Sequence, residues 1–154
     1  MVPMKLRTFF RKLTVFILVF SLLLPSYVTA ATPDTVQPTA SYYLSAYTSY
    51  ICPIGEYDIQ IWWNVIGTHT MADIGTLRIR LYESTDNVNW THVKTYLHST
   101  YTQMLDHGTG QGINYVFYDG DHECYYKAYV SVYAGDGTNG DTRYFWTPVV
   151  QGTP

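Results

Sequence analysis

Apolar and polar residues alternate along most of the chain after residue 40, and a period of two is the signature of β-strands. In the segment 124–134 one face suits a hydrophobic core, with Cys124, Tyr126, Ala128, Val130, Val132 and Ala134. The other face should meet water, yet it is mostly tyrosine, with Tyr125, Lys127, Tyr129, Ser131 and Tyr133. No segment of similar length in residues 41–154 repeats every 3.6 residues, as an amphipathic helix would.

The same alternation, interrupted by turn residues, predicts about seven strands. They fall at 41–51, 57–66, 76–84, 88–98, 112–118, 124–134 and 142–150. The segments 67–75 and 99–112 are predicted to be longer loops, and Trp90 and Val93 are expected in the core. Seven short strands without helices predict an all-β fold, an antiparallel β-sandwich in one domain at 41–150 followed by a tail at 151–154.

Two segments, 79–96 and 119–134, resemble the strand–turn–strand and long penultimate strand of the fibronectin type III and immunoglobulin-like group. That resemblance implies that strand 76–84 shares a sheet with the last two strands. The chain departs from true immunoglobulin domains because His122 stands two residues before the second cysteine, where those domains have a tyrosine.

A broader resemblance rests on the segments 67–75, 81–96, 127–137 and 140–147. These are similar to a family of small secreted proteins from Gram-positive, mostly clostridial, bacteria. The resemblance implies secretion and a compact all-β domain. The function of that family is unknown, so the resemblance implies no catalytic residues.

The first thirty residues predict a signal peptide. A basic start is followed by the short apolar run 13–25 and by small residues at 28–30, where a signal peptidase would cut. The alternative is an uncleaved N-terminal anchor. Residues 31–40 lack periodicity, hold two prolines and are predicted to be a disordered leader. The expected localisation is therefore secreted, or extracellular.

The charge balance narrows the class of partner. Residues 31–154 hold five of the nine basic residues and all twelve acidic ones, so their formal net charge is −7. This charge argues against nucleic acid and, once the signal peptide is removed, against an anionic membrane. A protein or glycan partner is expected instead.

The two cysteines, Cys52 and Cys124, both lie after the predicted signal peptide. In an oxidising compartment an isolated pair is most simply a disulfide, and the alternative is two buried free thiols. Two cysteines alone do not predict a metal site.

Residue patterns typical of catalysis or metal binding are absent from the sequence. The five histidines are not spaced as paired zinc ligands, and the acidic stretches at 119–123 and 136–141 lack the spacing of an EF-hand loop. Asp-Gly and Asn-Gly pairs are typical of hairpin turns. There is no Gly-x-Ser-x-Gly motif. The sequence therefore predicts a non-enzyme without a cofactor or metal, and a small hydrolase is a remote alternative.

The candidate binding residues are the outward side chains of the strands expected to share one sheet: Arg78, Arg80, Tyr82, Tyr125, Lys127, Tyr129 and Tyr133. The last strand is expected to add either Tyr144 and Trp146 or Arg143 and Phe145, depending on its register. Trp62 is a further exposed aromatic candidate on the other sheet.

Two interpretations of this face stay open. Tyrosine favours strands, and cross-strand Tyr–Arg pairs stabilise an open sheet face. Accumulated exposed aromatic residues are also typical of contact surfaces. The hypothesis is a secreted, non-catalytic interaction module that binds a protein or a second copy. The alternative is a carbohydrate-binding module for cell-wall or host glycans.

Overall fold

One long strand, β2, organises the fold. The computed structural model describes residues 41–55 and 58–153, so the predicted signal peptide and leader lie outside the described residues. In chain order the elements are β1 (Leu44–Pro53), β2 (Asp58–Ser84), β3 (Thr91–Leu97), a 3-10 helix (Thr102–Met104), β4 (Leu105–Asp119), β5 (Tyr125–Gly135), β6 (Gly140–Trp146) and β7 (Val150–Gln151).

The two halves of β2 belong to two layers of one antiparallel sheet. In the first half, Ile61 pairs with Ile51 of β1 and Val116 of β4. In the second half, Ile79 pairs with Val130 of β5 and Tyr96 of β3. Layer 1 therefore has the order β1–β2–β4, and layer 2 has the order β3–β2–β5–β6. The prediction of an all-β, antiparallel, seven-stranded sandwich is confirmed.

The inward faces of both layers form one core. The alternate residues Ile59, Ile61, Trp63 and Val65 in the first half of β2 are buried, as is the whole inward set predicted for 124–134. Rings from the two layers meet inside, with centroids 5.1 Å apart for Tyr47 and Phe145 and 6.1 Å apart for Tyr118 and Tyr126. The pattern of apolar positions therefore identified the core residues of these two strands correctly.

The predicted loop at 67–75 is wrong, and most of the predicted loop at 99–112 is also strand. The segment 67–75 continues β2, and its residues 71–75 pair with residues 105–109 of β4. A side chain at Gly75 would place its Cβ 2.2 Å from the Met104 oxygen, and one at Gly112 would place it 2.7 Å from the Ile74 oxygen. Because glycine has no side chain, β2 and β4 can approach each other closely at the point where β2 crosses from layer 1 to layer 2.

The predicted disulfide is also wrong, because both cysteines are free. Cys52 pairs with Gln60, so its side chain lies on the outer face of layer 1, whereas the neighbouring pair Ile51–Ile61 points into the core. Cys124 is buried immediately before β5. A disulfide requires Cβ atoms about 4 Å apart, which thiols on opposite sides of a sheet do not reach.

A buried tyrosine ties the turn before β5 to the core. The Tyr126 hydroxyl accepts a hydrogen bond from the Asp121 backbone N–H at 2.5 Å and lies 3.1 Å from the Glu83 carboxylate. These contacts hold the turn 119–123 against the start of β5.

The end of the chain is partly structured. The predicted last strand, 142–150, divides into β6 and the short β7, in which Gln151 pairs with Tyr125. The backbone N–H of Gly152 donates to the Cys124 oxygen at 2.9 Å. The first residues of the predicted tail therefore pack against β5. No helix among the described residues is long and apolar enough to cross a membrane.

Candidate functional site: the tyrosine–arginine face

The outer face of layer 2 brings most of the predicted binding residues together. We call it the tyrosine–arginine face, and it comprises Arg78, Arg80, Tyr82, Lys127, Tyr129, Tyr144 and Trp146. Strand register places these side chains in rows across the sheet. Arg80 pairs with Tyr129, which pairs with Trp146 on the next strand, and Tyr82 pairs with Lys127.

The register of β6 decides which of its side chains face outward. Tyr144 pairs with Ser131 and Trp146 pairs with Tyr129, so both rings lie on the outer face, 54% and 49% exposed. Phe145 packs against the core instead. The first of the two predicted registers is therefore the observed one.

The aromatic rings of this face are in mutual contact. Trp146 lies 4.9 Å from Tyr129 and 5.3 Å from Tyr82, measured between ring centroids. Tyr129 and Tyr144 are stacked with an interplanar angle of 16°, at a centroid distance of 6.2 Å. His92 adds an edge-on contact with Tyr82 at 5.4 Å. These contacts restrict the rotamers available to each ring.

Lys127 anchors the cluster between two indoles. Its Nζ lies 4.0 Å from the Trp90 ring centroid and 5.0 Å from the Trp146 centroid. Both distances are within the range of cation–π attraction. The prediction that Trp90 belongs to the core is wrong, because its half-buried ring covers Lys127 on the outer face. Val93 packs partly buried against the core.

Like Lys127, the two arginines of this face have no anionic partner among the described residues. Within residues 41–55 and 58–153, the ion pairs within 4 Å all involve histidine: His107 with Asp73, and His122 with Asp121 and Glu123. Arg78 and Arg80 stand opposite Ser131 and Tyr129 on β5, and opposite Leu97 and Thr95 on β3. Their guanidinium groups therefore remain available to an acidic ligand.

Three predicted residues lie away from this cluster. Tyr133 packs over the β5–β6 hairpin, where its ring and hydroxyl leave no space for a side chain at Gly135 or Gly140. Burial raises the pKa of its hydroxyl. Tyr125 lies at the far end of β5, opposite Ser84. Trp62 lies on the outer face of layer 1, as predicted, but it is half-buried, and its ring centroid lies 4.9 Å from that of Tyr50 at an interplanar angle of 32°.

The aspartates of the segment 136–141 accept hydrogen bonds that stabilise the local backbone. One Asp136 oxygen accepts hydrogen bonds from the Thr138 and Asn139 backbone N–H groups, both at 2.8 Å. These bonds lower the pKa of Asp136. Asp141 accepts from the Ser41 hydroxyl at 2.5 Å, which lowers its pKa and fixes the start of β1. The described part of the chain contains no group of three or more His, Cys, Asp or Glu residues placed to hold a metal ion.

Comparisons with known proteins identified no similar protein. No family model matches the chain, and neither a curated protein nor a solved structure matches it. The functional argument therefore depends on the side chains of this protein alone.

Proposed function

We propose that this protein is a secreted, non-catalytic interaction module whose tyrosine–arginine face binds an acidic protein surface. One observation carries the proposal. Arg78 and Arg80 lie without an anionic partner among the described residues, beside a cluster of contacting rings. The chain around them has a net charge of −7 over residues 31–154.

The composition of the face supports a protein partner. Tyrosine, tryptophan and arginine are enriched at protein–protein interfaces and dominate their binding hot spots. Two unpaired guanidinium groups offer bidentate hydrogen bonds to carboxylates. A purely structural ladder of Tyr–Arg pairs accounts for Arg80, which stands opposite Tyr129, but not for Arg78, which stands opposite Ser131. The partner surface should therefore carry Asp or Glu beside flat or apolar groups.

The face is also held ready for binding. Trp146 is fixed by ring contacts and by Lys127, and Tyr129 is fixed between Trp146 and Tyr144. Side chains that are already ordered lose less conformational entropy on binding, at about 0.5–1.5 kcal/mol per immobilised side chain. Preorganisation therefore favours binding over a loose, solvated aromatic surface.

Secretion is part of the proposal and rests on residues 1–30, which lie outside the described residues. A basic start, a short apolar run and small residues at 28–30 are typical of a cleaved signal peptide. Intact mass of the protein recovered from the medium tests it, with a chain beginning at Ala31 as the expected result.

Affinity capture with quantitative mass spectrometry tests the binding face. The wild type, Arg78→Ala/Arg80→Ala and Arg143→Ala are immobilised and exposed to the extracellular fraction of the producing cells. Arg143→Ala is the matched control, since its guanidinium donates to the Thr142 oxygen and lies outside the face. We expect a salt-sensitive partner captured by the wild type and by Arg143→Ala, and lost with the double variant. Equal capture by all three proteins would contradict the proposal.

A further inference from the structure

A second aromatic surface covers the outer face of layer 1, opposite the tyrosine–arginine face. Tyr50 pairs with Trp62, which pairs with Tyr115, so three rings form a row across three strands. Neighbouring strands lie about 4.8 Å apart, so the row spans about 10 Å. Phe117 and Ile113 flank this row on β4, and Tyr115 and Phe117 are 43% and 51% exposed. We call this surface the neutral aromatic face.

Apart from one pair of aspartates at its end, the neutral aromatic face has uncharged polar residues among those described. Gln60 stands opposite Phe117 and Asn64 opposite Ile113, and Gln111 Nε2 donates to Asn64 Oδ1 at 2.9 Å. Its only charged pair in the described chain, Asp58 opposite Asp119, lies at one end. A ligand that matches this surface is uncharged and carries many hydroxyl groups for the amides to bind. Among the described residues of this face, an acidic ligand would find no cation.

A groove continues from this face toward layer 2. It has a volume of about 570 Å³ and lies between β3 and β4, where the two layers open. Tyr101, Gln103 and Phe117 line it, and Lys94 and Asp119 contribute one charge of each sign. This volume is within the range of small-molecule binding sites, roughly 300–1,000 Å³. The row of rings and the groove share Tyr115, so one chain-like ligand can contact both.

Side chains form hydrogen bonds with backbone groups along the edge of β4 that faces the groove. The Tyr96 hydroxyl donates to the Phe117 oxygen at 2.6 Å, and the Tyr115 backbone N–H donates to Asn114 Oδ1 at 2.9 Å. An added β-strand would need these backbone groups for its ladder. The edge is therefore protected against strand addition by a peptide or by a second copy. Ring faces, and the amide hydrogen-bonding groups that the Gln111–Asn64 bond leaves unused, can contact a ligand that does not pair with backbone.

We propose that a neutral polysaccharide binds along the neutral aromatic face and enters the groove between β3 and β4. The C–H faces of its sugar rings stack on Trp62 and Tyr115, and its hydroxyl groups bind the amides of Asn64 and Gln111. This site is independent of the tyrosine–arginine face, because the two surfaces lie on opposite layers of the sandwich.

Affinity electrophoresis of the purified protein tests this site. The gels contain xyloglucan, glucomannan, hydroxyethylcellulose or a soluble β-1,3-glucan as neutral probes, and polygalacturonate as the anionic probe. The variants are Tyr115→Ala and Phe117→Ala, and the control is Tyr129→Ala on the opposite face. We expect retardation by at least one neutral polysaccharide, at least tenfold weaker affinity in both variants, and unchanged affinity in the control and at 0.5 M NaCl.

A second measurement separates binding from folding. Titration of that polysaccharide should shift the tryptophan fluorescence of the wild type, because Trp62 lies in the row of rings, and Trp62→Phe should abolish the shift. Near-UV circular dichroism of each variant confirms its fold. Three results would overturn the proposal: no retardation by any neutral probe, binding that is lost with Tyr129→Ala, or a dimer in sedimentation velocity that Phe117→Ala converts to a monomer.

Discussion

Lys127 offers a direct test of whether the tyrosine–arginine face is preorganised. In Lys127→Gln the ammonium group disappears from between the indoles of Trp90 and Trp146, which lie 4.0 and 5.0 Å from it. A cation–π contact contributes about 0.5–1 kcal/mol at an exposed site. Two such contacts on a half-buried lysine give an expected loss of about 1–2 kcal/mol. In a domain of this size that corresponds to a fall in melting temperature of roughly 4 °C per kcal/mol.

Lys94→Gln is the matched control for that variant. Lys94 is exposed, and its Nζ lies 5.9 Å from the Tyr96 ring, at the limit of the interaction. The control should therefore lose less than about 0.5 kcal/mol. Urea denaturation followed by far-UV circular dichroism measures the free energy of unfolding of both variants. Equal losses in the two variants, or no loss in Lys127→Gln, would refute the preorganisation argument.

Three further predictions concern the fold. Tyr126→Phe should lower the free energy of unfolding by about 1–2 kcal/mol in urea denaturation, because the Asp121 N–H loses its acceptor; an unchanged value would show that the hydroxyl is dispensable. Dithiothreitol should leave the melting temperature unchanged, and Ellman's reagent should modify half-buried Cys52 faster than buried Cys124, whose pKa is raised by burial; an intact mass two units below that of the dithiol would contradict this. The lowered pKa of Asp141 means that its stabilisation is present above about pH 4 and is lost as the pH falls further. Asp141→Asn should therefore be less stable than the wild type at pH 7, with a gap in melting temperature that closes on acidification, and a gap independent of pH would count against this assignment.

The local pattern of the sequence predicted strands and their faces well. Alternation identified the inward residues of β5 and of the first half of β2, because one buried face imposes a period of two. The same alternation placed Arg78, Arg80 and Tyr129 on one outer face, and strand pairing brought them together. These features depend on short segments and on a common sandwich arrangement.

Features that depend on distant pairing were not predictable in the same way. The segment 67–75 contains glycine and polar residues, so its local pattern indicates a loop, and only its pairing with residues 105–109 makes it strand. The cysteines were assigned to a disulfide from their number and compartment. The side of the sheet on which Cys52 lies follows from its pairing with Gln60, which the sequence does not show.

The two candidate sites also differ in how far the local sequence pattern predicted their residues. Ile113, Tyr115 and Phe117 alternate with inward residues, so the local pattern carried the signal for the neutral aromatic face. Trp90 carried no such signal. It follows a turn, and its position over Lys127 depends on the pairing of β2 with β5.

The central claim is that the tyrosine–arginine face binds a partner and is not merely a stabilising ladder. The most direct test measures, for Arg78→Ala/Arg80→Ala, both partner capture and the free energy of unfolding in urea. The account predicts that capture is lost while stability stays within about 1 kcal/mol of the wild type, since neither arginine has an ion-pair partner in the described chain. Retained capture, or a large loss of stability without any partner in the wild-type experiment, would contradict it.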